Sequence, residues 1–243
     1  EPTPDAAIRI GTAASIVTNS GTIWGAGAGI TTAFVFDEEA GALVGLAVGT
    51  EITNSGSILG ESNDGVRLMG GGIVTNSGTV RGEGAAFADG ISMYAFTDQA
   101  KEDFSASVVN AEGGEIEGSR FGIILSGGGS VENAGDITGV DGGMFLQGTA
   151  INTDPGEDRS GLTASVVNSG MITGTRADGL NGYGVGFGSD LSTATLDNSG
   201  TISSVAAAGV FHGTLGDVTI NNDAGGEITG GAKGVLAEGA GSG

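Results

Sequence analysis

One seven-residue segment returns along the whole chain: a hydrophobe, any residue, Asn, a small residue, Gly, any residue, then Ile or Val. It reads VTNSGTI at Val17–Ile23, ITNSGSI at Ile52–Ile58 and VTNSGTV at Val74–Val80. It recurs as VENAGDI at Val131–Ile137, VVNSGMI at Val166–Ile172 and LDNSGTI at Leu196–Ile202. Two further copies carry extra residues, VVNAEGGEI at Val108–Ile116 and INNDAGGEI at Ile220–Ile228. A unit this short cannot bury its own hydrophobic face. Only stacking against its neighbours gives it a core, so the repeat confines the chain to a solenoid.

The repeat Asn residues are Asn19, Asn54, Asn76, Asn110, Asn133, Asn168, Asn198 and Asn222, spaced by 35, 22, 34, 23, 35, 30 and 24 residues. The short spacings fit one turn of a parallel β-helix, about 20–24 residues. Each turn accommodates three strands. The first ends at the Asn, the second holds the Ile four residues later, and the third follows a Gly, as in Gly65-Val66-Arg67-Leu68 and Gly122-Ile123-Ile124-Leu125. Alternation within each strand turns one residue inward and the next outward. The expected fold is therefore all-β: a single-stranded right-handed parallel β-helix of about eight three-strand coils with β-hairpin insertions. A cap region spans 1–15, coils span 16–237, and a Gly-rich tail spans 238–243. Stacked coils would bring the Asn side chains about 4.8 Å apart, the interstrand distance, where amides form a ladder. These eight Asn residues are read as structural.

Composition narrows the chemistry. Gly makes up 51 of 243 residues without a three-residue period, which excludes collagen. Cys is absent, and only three Pro residues occur. No apolar run approaches the roughly 20 residues that span a bilayer, and the opening Glu1-Pro2-Thr3-Pro4 reads as the start of a processed or cloned fragment. The net charge is −21, from 8 Lys+Arg against 29 Asp+Glu, with no basic run. Nucleic acid and anionic membrane are disfavoured as partners.

Asp64, Asp89, Asp141 and Asp178 each precede a Gly taken to open a third strand. The simplest role is turn formation. In register, Asp64 would stack on Asp89 and Asp141 on Asp178, and such carboxylates repel unless neutralised. Calcium is one candidate neutraliser, although the nine-residue Gly/Asp calcium repeat of toxin-type β-rolls is absent. No other cofactor is indicated.

The long spacings place extra residues between the third strand and the next Asn strand, at 32–50, 92–107, 146–165 and 187–195. The first reads as two β-prone runs around a polar turn, AFVF and ALVGLAV, which predicts a hairpin. Hairpins from alternate coils could pair into a second, antiparallel sheet. The insertions carry Phe34, Phe36, Tyr94, Phe96 and Phe104, a candidate contact face or the core of that second sheet.

The NSGTI-type segments followed by a Gly-hydrophobe strand resemble passenger domains of bacterial autotransporters over roughly Ile16 to Ala237. The resemblance implies a right-handed β-helix exported to the cell surface through a C-terminal outer-membrane barrel. It further implies a secreted or surface-displayed structural or adhesive role. Partners would be surface proteins, glycans or copies of the same chain.

Parallel β-helices also include polysaccharide lyases and hydrolases, the alternative reading. Their signatures are missing. Asn152-Thr153-Asp154 occurs without an Asp-Asp pair, Gly-His-Gly or Arg-Ile-Lys, and the sole His lies in Phe211-His212-Gly213. No Gly-x-Ser-x-Gly elbow occurs. Carboxylate pairs such as Glu115/Glu117 and Asp37/Glu38 would serve a glycosidase only across a groove. No catalytic residue is assigned, and the chain is expected not to be an enzyme.

Overall fold

The structure is a computed structural model that describes residues 6–11, 13–37, 42–45, 47–84, 87–95, 105–148, 162–178, 182–188, 191–213 and 216–238. It is a right-handed parallel β-helix with three sheets, and the described residues include no α-helix. Eight coils each supply one strand to every sheet. First-sheet strands are Ile16–Asn19, Thr50–Asn54, Gly72–Asn76, Ala106–Asn110, Gly129–Asn133, Thr163–Asn168, Thr193–Asn198 and Asp217–Asn222. Second-sheet strands are Thr22–Gly25, Ser57–Gly60, Thr79–Gly82, Glu115–Gly118, Asp136–Gly139, Met171–Gly174, Thr201–Ser204 and Glu227–Gly230. The third sheet holds Ile30–Thr32, Val66–Met69, Ile91–Tyr94, Phe121–Ser126, Gly142–Gln147, Tyr183–Phe187, Ala208–His212 and Lys233–Ala237. Its ninth strand, Ile8–Ile10, pairs with Ile30–Thr32. Part of the expected cap region is thus one more rung of the third sheet.

Strand alternation builds the core. In the second coil Ile52, Ile58, Val66 and Leu68 point inward and are at most 1% exposed, and the coils above and below repeat the pattern. Each such side chain contributes about 1.5–3 kcal/mol through burial. Equivalent residues stack in register, as Val74 does on Ile52 and Val108. The interior is thus a set of aliphatic columns along the axis.

Glycine is abundant because the coil corners are tight. A Cβ on Gly122 would sit 2.6 Å from the Gly143 oxygen and 2.6 Å from Cγ2 of Ile137. Gly65, Gly90, Gly143 and Gly184 meet the same obstruction from the second-strand aliphatic of a neighbouring coil. The Gly that opens each third strand makes room for the residue that fills the core.

The connections vary at two corners. The first insertion contains a hairpin, Phe34–Asp37 antiparallel to Ala42–Gly45. Among the described residues it pairs with no other strand. The segments that would extend it into a second antiparallel sheet, 96–104 and 149–161, lie outside the described residues. In the 187–195 segment, Tyr183–Phe187 and Thr193–Asn198 take the two ends as rungs of the third and first sheets, and residues 189–190 between them lie outside the described residues. The corner between second and third strands also lengthens, at 83–90 and 175–182.

Candidate interaction face

The Asn corner is a continuous amide ladder. Nδ2 of Asn19 donates to Oδ1 of Asn54 at 2.8 Å, and the pattern repeats through Asn76, Asn110, Asn133, Asn168 and Asn198 to Asn222 at 2.7–2.9 Å. Each Nδ2 from Asn19 to Asn198 also donates to backbone oxygens of its own turn and the next coil, as Asn76 does to Gly78 and Glu115. From Asn54 to Asn198 the residues are at most 2% exposed. All their chemistry is consumed in holding coils together.

The aspartates of the next corner are satisfied by the chain's own cations. Asp64, fully buried, accepts from Arg67 Nε at 2.7 Å, from Ser92 Oγ at 2.5 Å and from the Asp89 N–H at 2.8 Å. Asp89, also fully buried, is gripped by both Nε and Nη2 of Arg120 and by the Phe121 N–H. Burial drives the Asp89 carboxyl up from 3.8 to about 6; the Arg120 hydrogen bonds oppose the rise and the Asp64 charge adds to it. Burial works to lower the Arg120 and Arg67 guanidinium groups, but their aspartates outweigh it and both end above the usual value. Tyr94 is raised by burial and by the nearby Asp89 and Asp64 charges.

Asp64 and Asp89 occupy one register, consecutive coils linked by the Gly65 N–H to the Asp89 oxygen. Asp141 and Asp178 do not stack. The register glycine of the fifth coil is Gly143, aligned with Gly122, so Asp141 falls one residue early, and Asp178 lies within the 175–182 connection. They meet through Arg176, which donates to both. Among the described residues no three acidic or His side chains are grouped to hold a metal. For the four aspartates considered as calcium candidates, arginine supplies the compensating charge.

Glu115, Glu117 and Asp136 project from the second sheet and line a shallow hollow of about 300 Å³ with Thr138 and Met171. Glu115 and Asp136 are direct register neighbours. Glu117 is engaged by Arg81 at 2.7 Å, and no aromatic ring lines the hollow. His212 falls at a strand end in the inward column that continues from Phe187. Its Nδ1 has no hydrogen-bond partner among the described residues.

The three outer faces differ in charge. First-sheet strands carry Glu51, Glu132, Asp197 and Asp217; second-sheet strands carry Glu115, Glu117, Asp136 and Glu227. Third-sheet strands carry no acid at all, only Arg9, Arg67 and Lys233. On a chain of net charge −21, this is a distinct surface. It also carries most of the strand aromatics, although the exposed Trp24 stands on the second sheet. Phe121 stacks on Phe145 with centroids 5.6 Å apart, and Tyr183 on Phe211 at 4.5 Å. All four rings are half-buried. Phe145 lies over the next strand, where a Cβ on Gly186 or Gly188 would come within 2.6 or 2.7 Å of the ring.

Of the contact residues expected in the insertions, Phe34 and Phe36 lie on the hairpin's first strand, and Phe96 and Phe104 lie outside the described residues. Tyr94 sits on the third sheet, where its hydroxyl accepts from Arg120 at 3.5 Å. The sequence reading missed the four stacked rings because it sought aromatics in insertions. The signal was present in the third strands: aromatic residues opposite glycines, and no acids.

Comparison with known proteins assigns nothing: no family model matches the chain, and no curated protein or solved structure matches it.

Proposed function

We propose that the chain is a secreted or cell-surface structural and adhesive module, passenger-like in construction, which acts by contact along its length rather than by catalysis. The observation that carries this reading is the aromatic outer face of the third sheet, whose strands carry no acid, on an otherwise acidic rod. A half-exposed aromatic strip on a stiff scaffold suits multivalent surface contact. The buried polar groups support a structural role, because the Asn ladder and the Asp64 and Asp89 clusters are used up inside the fold. Attachment to an outer-membrane barrel and export to the bacterial surface belong to the same proposal and rest on the repeat style. Adhesion of beads coated with the purified chain to bacterial and host cell surfaces tests it. Binding above an uncoated control, reduced when the third-sheet rings are replaced, is the expected result; equal binding by both bead types would remove the reading.

A second reading, a polysaccharide-acting enzyme, draws on the Glu115, Glu117 and Asp136 hollow. Release of reducing ends from neutral or acidic polysaccharides, abolished by Glu115→Gln, would establish it in place of the first.

A further inference from the structure

The third-sheet rings form a track with a fixed period. Phe121, Gly142 and Tyr183 share one register column, and Phe145, Gly186 and Phe211 share another three residues further along the strands; ring stacking across the two columns joins them. In each column an aromatic residue alternates with glycine. Rings in the same column are therefore two coils apart, about 9.6 Å along the axis. The full track covers three coil rises, about 14 Å.

A polar column runs beside it. Tyr94, Ser126 and Gln147 are register neighbours on the same face, and Gln147 Nε2 donates to Ser126 Oγ at 3.0 Å. The strip thus offers apolar ring surface flanked by the half-buried amide of Gln147, whereas Ser126 is buried and the Tyr94 hydroxyl is engaged by Arg120. It is one or two rings wide, much narrower than the ~800 Å² patch with an apolar centre that a protein partner of standard size covers.

From this geometry we infer that the third-sheet track binds an extended neutral polysaccharide along the helix axis. Pyranose C–H groups carry partial positive charge and settle on the electron-rich faces of aromatic rings. Sugar hydroxyls find a partner in the Gln147 amide. Charge selects the class of glycan. The strands of the strip carry no acid, Glu238 beyond the last of them bears its charge on Tyr183, and the rest of the rod is strongly negative, so uronic-acid or sulfated polymers are repelled. The inference rests on the contact-face reading above and names its ligand class.

Affinity electrophoresis of the full chain through gels containing dextran, hydroxyethylcellulose or galactomannan, with polygalacturonate as the anionic counterpart, tests it. Retardation by at least one neutral polymer is expected, with at least tenfold weaker retention for Phe145→Leu/Phe211→Leu. Leucine keeps apolar cover over the glycines, and the single Phe211→Leu variant serves if the pair fails to fold, as read by circular dichroism. Glu132→Gln, on the first sheet, should leave retention unchanged. Undiminished retention in a folded ring variant overturns the inference, as does preference for polygalacturonate or no retention by any neutral polymer. Bead adhesion measured in parallel separates the two claims. Adhesion that depends on the rings without glycan retention points to a protein partner on this face and sinks only the glycan assignment. Glycan retention without adhesion sinks only the surface-contact reading.

Discussion

The carboxylate of Asp64 accepts a hydrogen bond from the backbone N–H of Asp89 at 2.8 Å, across consecutive coils. One buried side chain thereby fixes the corner of the next turn, and Arg67 and Ser92 complete its shell. Asp64→Ala strands a cation, a hydroxyl and an amide together. A loss of about 3 kcal/mol is expected, toward the lower end for a broken buried pair because Arg67 is 30% exposed. Urea unfolding measures it, and a loss below ~1 kcal/mol would show that water replaces the carboxylate without penalty.

Asp89 makes the fold pH-sensitive in a particular sense. Its carboxyl is raised to about 6 in the folded chain from 3.8, so the folded state holds the proton more tightly than the unfolded state. The resulting stabilisation is complete below about 3.8 and is lost as pH climbs through about 6. The wild-type urea midpoint should fall between pH 5 and pH 7 by more than that of Asp89→Asn. Identical pH profiles for the two proteins would contradict the assignment. The comparison with the variant removes the general build-up of acidic self-repulsion as pH rises, which both proteins share.

The amide ladder predicts a position-dependent cost. Asn110 donates to Asn133, Gly114 and Asp136 and accepts from Asn76. Asn222 accepts from Asn198 and donates to Gly226 at an exposed site. Asn110→Ala should destabilise by about 2–3 kcal/mol and Asn222→Ala by at most about 1 kcal/mol. Equal thermal shifts would mean that the amides do not act as a connected series.

Corner glycines should be sharply unequal. Gly122→Ala drives a Cβ into the Gly143 oxygen and Ile137 Cγ2, whereas Gly11 has nothing within 4 Å. The first change should cost about 1–3 kcal/mol, and the second should be neutral or slightly stabilising. Thermal denaturation of the two single variants decides the matter; a tolerated Gly122→Ala would show that the corner yields.

The coil was legible because its local chemistry repeats. Val74 before Asn76, Val80 after Gly78 and Ile91 after Gly90 announce the three strands without tertiary information, and each appears where the spacing puts it. The register of the aspartates was not legible. Asp141-Gly142-Gly143 offers two glycines for one corner, and the choice falls on Gly143 because Ile172 Cγ2 sits 2.5 Å from where its Cβ would be. That collision is a contact between coils, invisible along the chain. The four-ring track escaped for the same reason. Phe121, Phe145, Tyr183 and Phe211 sit at uneven spacing in sequence, and only pairing of third strands brings them together.

Every ladder amide donates in the same direction, from the lower-numbered coil to the higher. Each rung therefore presents the same socket below and the same plug above. A tandem duplication of one turn would dock without redesign of its neighbours, and so would a deletion. Reach can then be tuned by gene rearrangement, while the decoration of each face is tuned separately by point substitution.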